Sequence, residues 1–155
     1  MRMLEILLPW ASQRGLSLCE VVGLSPVALV NIEVDPDSVV EYLNPQWKLV
    51  VRLCTQFESL ARVVFRNLEV EPNIEAVRQL LGWNDRQLAA VLSVSKSSVY
   101  QYRKGNRPSY VLWSVYVLLM FCLEGAKQVV PFIIGQQASP PSRTQALLLE
   151  TYAQH

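Results

Sequence analysis

Fourteen consecutive residues without a charge, Tyr110 to Leu123 (YVLWSVYVLLMFCL), set the strongest constraint on what this chain can fold into. The run is too short to span a bilayer core of ~30 Å, so it reads as a buried helix. That helix is expected from Ser109 to about Gly125, after a turn at Gly105-Asn106-Arg107-Pro108, and Pro131 limits its continuation. With 51% hydrophobic and 17% charged residues in 155, the chain can bury a real core as one medium domain or two small ones.

Helical periodicity accounts for most of the rest. Met3 to Gln13 reads as a helix that Pro9 should kink or split. Leu16 to Val22 and Pro26 to Ile32 are short helices around Gly23-Leu24-Ser25. Asp35-Pro36-Asp37 stops the second and leads into Ser38 to Leu43. Asn44 caps a long pattern with Pro45 at its first position, running to Leu68 with Leu49, Leu53, Phe57, Leu60, Val64 and Leu68 on one side. After a polar break (EVEPN, Glu69 to Asn73) come Ile74–Leu81, Asp85–Leu92 and Lys96–Lys104. Gln136 to Ser142 (QQASPPS) reads as a loose linker before a terminal helix, Arg143 to Ala153. Val129 to Ile134 is the one ambiguous piece, and no strand pattern is convincing. The expectation is an all-α fold with a unit at 1–68, a second at 73–126 and an extension at 127–155.

Several chemistries find little support. Cys19, Cys54 and Cys122 are far apart in apolar surroundings, which suits free thiols in a reducing, cytoplasmic setting. The single histidine is His155, and neither a metal-spaced cluster nor a phosphate-binding glycine loop is present. No enzyme, cofactor or metal is expected. Asp35, Asp37 and Glu41 suit helix capping better than cation binding, and Trp10, Trp47, Trp83 and Trp113 suit a core. The apolar stretch Leu4 to Trp10 contains Glu5 and is flanked by Arg2 and Arg14, as in an amphipathic helix rather than a leader. No membrane partner is expected.

The informative segment is DRQLAAVLSVSKSSVYQYRKG, beginning at Asp85. Leu88 and Leu92 make one stripe, Val99 and Tyr102 a second, and Val94 plugs the turn between them. Ala89 is small where the second helix crosses closely. Asn84 and Ser95 are positioned as N-caps. A capped second helix also aims free N–H groups and a positive dipole end outward, where a phosphate is welcome.

The stretch LLGWNDRQLAAVLSVSKSSVYQYRKGNRPS resembles the helix-turn-helix of the Cro/repressor-type (Xre-like) family over about residues 74 to 123. The resemblance implies a lambda-repressor-like fold and a second helix that reads double-stranded DNA in the major groove, commonly as a homodimer on a two-fold symmetric site. It implies Lys96, Ser97 and Ser98 as reading positions, with Gln101 one turn on. Arg103, Lys104, Asn106 and Arg107 would then hold phosphates. Tyr100 would contact a base or pack on a neighbouring helix. Where the family favours a left-handed glycine in the turn this chain has Ser93, at a cost of about 1 kcal/mol. Where the family favours glutamine at the start of the first helix it has Asp85, which repels phosphate, with Arg86 or Asn84 to compensate.

Charge is polarised in the same sense. Asp85 to Arg107 carries +4 and the residues before Pro45 carry −4, although the whole chain carries only +1. A charged surface that binds DNA is the leading expectation, giving a transcriptional repressor.

A shift of seventy residues lays LCEVVGLSPVALVNIE on LAAVLSVSKSSVYQYR, pairing Leu18 with Leu88, Val22 with Leu92, Gly23 with Ser93, Ser25 with Ser95, Leu29 with Val99 and Ile32 with Tyr102. This suggests an internal duplication whose first copy is degenerate. That copy offers Pro26, Val27, Ala28 and Val30 where the second offers polar residues. Such a face should be buried, against the second unit or another subunit, making the N-terminal unit a packing or dimerising platform. The alternative function is a protein-interaction module, an antitoxin or adaptor, holding a protein partner through this unit or through the C-terminal tail (ALLLETYA).

Overall fold

The uncharged run lies at the centre of the molecule. In the computed structural model, which describes residues 2–28, 30 and 39–153, it belongs to one long helix on which most of the others pack. Its neighbours are α1 (Arg2–Gln13), α2 (Leu18–Val22), α3 (Val39–Tyr42), α4 (Pro45–Gln56), α5 (Glu58–Asn67), α6 (Ile74–Leu81), α7 (Asp85–Leu92) and α8 (Lys96–Lys104). The long helix is α9 (Ser109–Gly135), and α10 (Arg143–Thr151) closes the chain. Residues 26–28 and 30 are helical too, while the remainder of the expected Pro26 to Ile32 helix and the Asp35-Pro36-Asp37 stop lie outside the described residues. The fold is all-α, and no strand forms among the described residues.

All ten positions from Trp113 to Cys122 on α9 are buried, the signature of a helix with no solvent face. α2, α4, α5, α6, α7 and α10 all pack against α9. Length and apolarity alone would let α9 cross a membrane, but in this fold its stretch from Trp113 to Cys122 is buried among other helices, and Glu124, Lys127 and Gln128 are exposed beyond it. One hydrophobic core runs from Met3 to Leu148, drawing on all three stretches read from the sequence. The four tryptophans are in it, with Trp10 and Trp113 in edge contact at 4.8 Å and the Trp47 indole N–H donating to the Tyr110 carbonyl at 2.9 Å. Cys54 and Cys122 are buried free thiols, and burial pushes the Cys54 thiol up to about 12.

Four elements depart from the sequence reading. α1 runs through Pro9 without splitting, because Pro9 and the Glu5 carbonyl it orphans lie on the wet side while Met3, Leu7, Trp10 and Ala11 anchor the other. The long pattern after Pro45 breaks at Phe57 (φ −125, ψ 65), whose ring turns to meet Phe132 edge-on at 5.4 Å. That break lets α4 and α5 wrap α9 rather than run past it. α9 kinks at Gly125 and then continues through Pro131 to Gly135, held by buried Val129, Val130, Ile133 and Ile134. A Cβ at Gly125 would meet Leu60 Cδ2 at 3.1 Å, so the kink sits where α5 presses closest. Finally, the linker after α9 is not loose, since Gln137 is bonded into the site described next.

Candidate nucleic-acid interface

α7 and α8 begin and end where their caps dictate. The Asn84 side chain accepts from the Gln87 N–H at 3.0 Å and the Gln87 side chain accepts from the Asn84 N–H at 2.8 Å, a reciprocal capping box. α7 ends at Ser93, whose φ of 55 and ψ of 47 are left-handed, as the resemblance implies for that turn position. It is the one non-glycine residue at positive φ among those described. Both the Ser93 and Val94 N–H groups return to the Ala89 carbonyl. Ser95 Oγ then accepts from the Ser98 N–H at 3.2 Å to start α8, and Gly105 at φ 76 ends it.

The last carbonyls of α7 have no helical partner of their own, and three glutamines from distant parts of the chain supply donors. Gln46 Nε2 donates to the Leu92 carbonyl at 3.1 Å, Gln137 Nε2 to Val91 at 2.8 Å, and Gln145 Nε2 to Ala90 at 2.8 Å. Gln145 Nε2 also donates to Gln137 Oε1, and Gln145 completes the capping box of α10. The turn is thus clamped from outside by α4 and by the C-terminal extension. Leu148 is buried under α10 and Leu147 is exposed, so the tail helix serves here as a core staple.

Beneath α8 the two expected stripes meet: Leu88, Leu92, Val99 and Tyr102 are buried, Ala89 nearly so, and Val94 half-buried. The opposite face is open. Lys96, Ser97 and Lys104 are exposed, Tyr100 is 47% exposed, and Ser98 and Gln101 are half-buried. Of the two expectations for Tyr100, packing on a neighbouring helix is not realised in this chain; Lys104 Nζ lies over its ring at 5.3 Å. Asn106 Nδ2 donates to Gln101 Oε1 at 3.2 Å, which orients the amide and leaves its N–H groups outward for a partner. Arg107 is exposed, 5.7 Å over the Tyr102 ring, and Arg86 is exposed on α7.

Arg103 is the exception among the residues read as phosphate contacts. Its guanidinium turns back to Glu75 Oε2 at 2.5 Å and Asp85 Oδ1 at 2.6 Å, tying α8 to the first turns of α6 and α7. Arg78 binds the same Glu75 carboxylate at 2.6 Å and donates to the Trp83 carbonyl. The Arg78 hydrogen bond, and after it Arg103, hold the Glu75 carboxyl down at about 2 against the opposing effect of burial. Arg103 is therefore a brace for α8, and it answers the repulsion expected from Asp85 better than Arg86 or Asn84 would. The segment's single anion is paired, and the exposed cations Arg86, Lys96, Lys104 and Arg107 set the field of the open face.

Sequence reading missed Glu75, Arg78 and the glutamine clamp. The spacing of Glu75 and Arg78, three residues apart on one helix, was a usable signal for that pair. Among the described residues, no three His, Cys, Asp or Glu side chains gather as a metal site requires. In the stretch read as a degenerate copy, Val27 and Val30 are 71% and 61% exposed, so these two side chains are not buried against the second unit. Pro26 is exposed as well and Ala28 half-buried, while Leu29 and Ile32, which the seventy-residue shift pairs with Val99 and Tyr102, lie outside the described residues. No protein-family model, curated protein or solved structure matches the chain.

Proposed function

We propose that the chain is a sequence-specific DNA-binding regulator of transcription, a repressor acting in the cytoplasm as a homodimer and working by binding rather than catalysis. The observation that carries this reading is the open polar face of α8, held by a clamped turn and ringed by cations, with the nearby carboxylates already paired. In it, α8 enters the major groove and presents Lys96, Ser97, Ser98, Tyr100 and Gln101 to base edges. Lys104, Asn106 and Arg107 lie at the C-terminal end of α8, where phosphates set the register. Arg86 adds a contact from α7.

Selection from random duplexes supplies the site, and two variants then test the roles. Gln101→Ala should lose ~1–3 kcal/mol on the selected site and little on random duplex. Arg107→Gln should weaken every sequence alike and reduce the salt slope by about 1. An equal loss on every sequence for Gln101→Ala would remove it as a reader. The protein-interaction reading is favoured by one observation, the exposed Val27 and Val30 on the N-terminal counterpart. A chain that retains a stoichiometric protein partner and no duplex would establish that reading instead.

A further inference from the structure

Beside the N-terminal end of α8 the C-terminal extension encloses an open groove of about 610 Å³. Three cations from three different helices line it: Arg86 of α7, Lys96 of α8 and Arg143 of α10. No aspartate or glutamate is among its lining residues, and Ser93, Ser139 and Thr144 add hydroxyls. Nothing in the local sequence joins Arg143 to the other two. The Gln145 and Gln137 bonds to the Ala90 and Val91 carbonyls do so, by seating α10 against α7 with Arg143 at its first position.

Resting on the DNA-binding reading above, we infer that this groove is a second backbone-phosphate site, and that the C-terminal extension contributes Arg143 to it. α8 has nine residues, hence a length of ~13 Å, close to the ~12 Å opening of the major groove. Cations at both ends of such a helix can reach the two phosphate rims. Lys104 and Arg107 stand at the C-terminal end, and Arg86 and Arg143 stand beside the base-reading Lys96 at the N-terminal end. Lys96 belongs to both the groove and the open face, so a duplex seated on α8 meets the groove without any rearrangement. Phosphodiester is the ligand that fits. The groove is open, uniformly cationic and rich in hydroxyl donors, and it continues the face already assigned to the duplex.

Arg143 is exposed, so its substitution leaves the core intact. The experiment measures affinity against salt concentration for the full chain, on the selected duplex and on random duplex. Arg143→Gln should make the slope of log affinity against log salt shallower by about 1, with equal loss on both duplexes. Arg143→Glu should weaken both further. Arg66→Gln, on the separate groove between α1 and α5, should leave the slope unchanged. If Arg107→Gln lowers the slope and neither Arg143 variant does, the groove is no phosphate site and the DNA-binding reading stands. A loss confined to the selected duplex would make Arg143 a base contact and overturn the proposal. An equal effect from Arg66→Gln would reduce it to net charge. Absence of any duplex binding by the wild-type chain would remove both readings together.

Discussion

The turns at Gly23 and Ser93 share their backbone features and present different surfaces. In both, a helix ends on a left-handed residue, Gly23 at φ 75 and Ser93 at φ 55, seventy positions apart. In both, that residue's N–H returns to the carbonyl four residues back, Cys19 or Ala89. Two residues later a serine accepts from a backbone N–H at 3.2 Å, Ser25 from Ala28 and Ser95 from Ser98. Beyond the caps the likeness ends. The first unit shows Pro26, Val27 and Val30 to solvent, and the second shows Lys96, Ser97 and Tyr100. Caps and one left-handed residue are enough to set this turn, and the outward residues are free to specify what it meets.

The sharpest difference lies inside the turns. A Cβ on Gly23 would come within 2.5 Å of Tyr110 Cγ, because this turn is pressed against the start of α9. Ser93 carries a side chain and lines the open groove instead. Gly23→Ala therefore combines left-handed strain with overpacking and should cost about 3 kcal/mol of stability, measured by urea denaturation. Ser93→Ala, already strained and unconfined, should change stability by less than about 1 kcal/mol. A Gly23→Ala protein as stable as wild type would mean that the first turn is not held against α9.

How much of this was legible follows from how local each signal is. α6, α7 and α8 have the limits read from the sequence, because Asn73, Gly82, Asn84, Ser95 and Gly105 act on neighbours within a few residues. The break at Phe57 was not legible. Phe57 continues a helical apolar stripe, and the ring it meets at the break, Phe132, lies far along the chain. The open face of α8 was legible as a polar stripe opposite Val99 and Tyr102. Arg103 was misassigned because a basic residue at the end of that helix looks like its neighbours, while its partners lie 28 and 18 residues upstream. The glutamine clamp and Arg143 carried no local signal at all, since they depend on where the C-terminal extension docks.

The brace is the next point of contrast. Seventy residues before Glu75, Asp85 and Arg103 stand Glu5, Gly15 and Glu33, so the first unit has no cation at the sequence position of Arg103. The Glu75 carboxyl is held at about 2 when folded and has an ordinary value of 4.5. Its contribution is complete above pH 4.5 and disappears as pH falls toward 2. The side chain is one-third exposed, and solvent screening reduces that contribution to about 1–2 kcal/mol. Glu75→Gln should be less stable than wild type by that amount at pH 6, and the two should converge as the pH approaches 2. A gap that stays constant with pH would show that the loss comes from packing and not from the charge.

The smallest expected effect tests the comparison most directly. Ser93 occupies the conformation that Gly23 occupies, with a Cβ that the left-handed region penalises by ~1 kcal/mol or somewhat more. Ser93→Gly removes that penalty but gives the unfolded chain freedom worth ~0.4–1 kcal/mol, so the net gain should be a few tenths to about 1 kcal/mol. Thermal unfolding of wild type and variant side by side resolves such a difference. A gain leaves the two turns equivalent as backbones, with serine tolerated only because nothing crowds it. A loss would mean that the Ser93 hydroxyl, in the groove with Arg86, Lys96 and Arg143, makes an interaction the first unit has no use for.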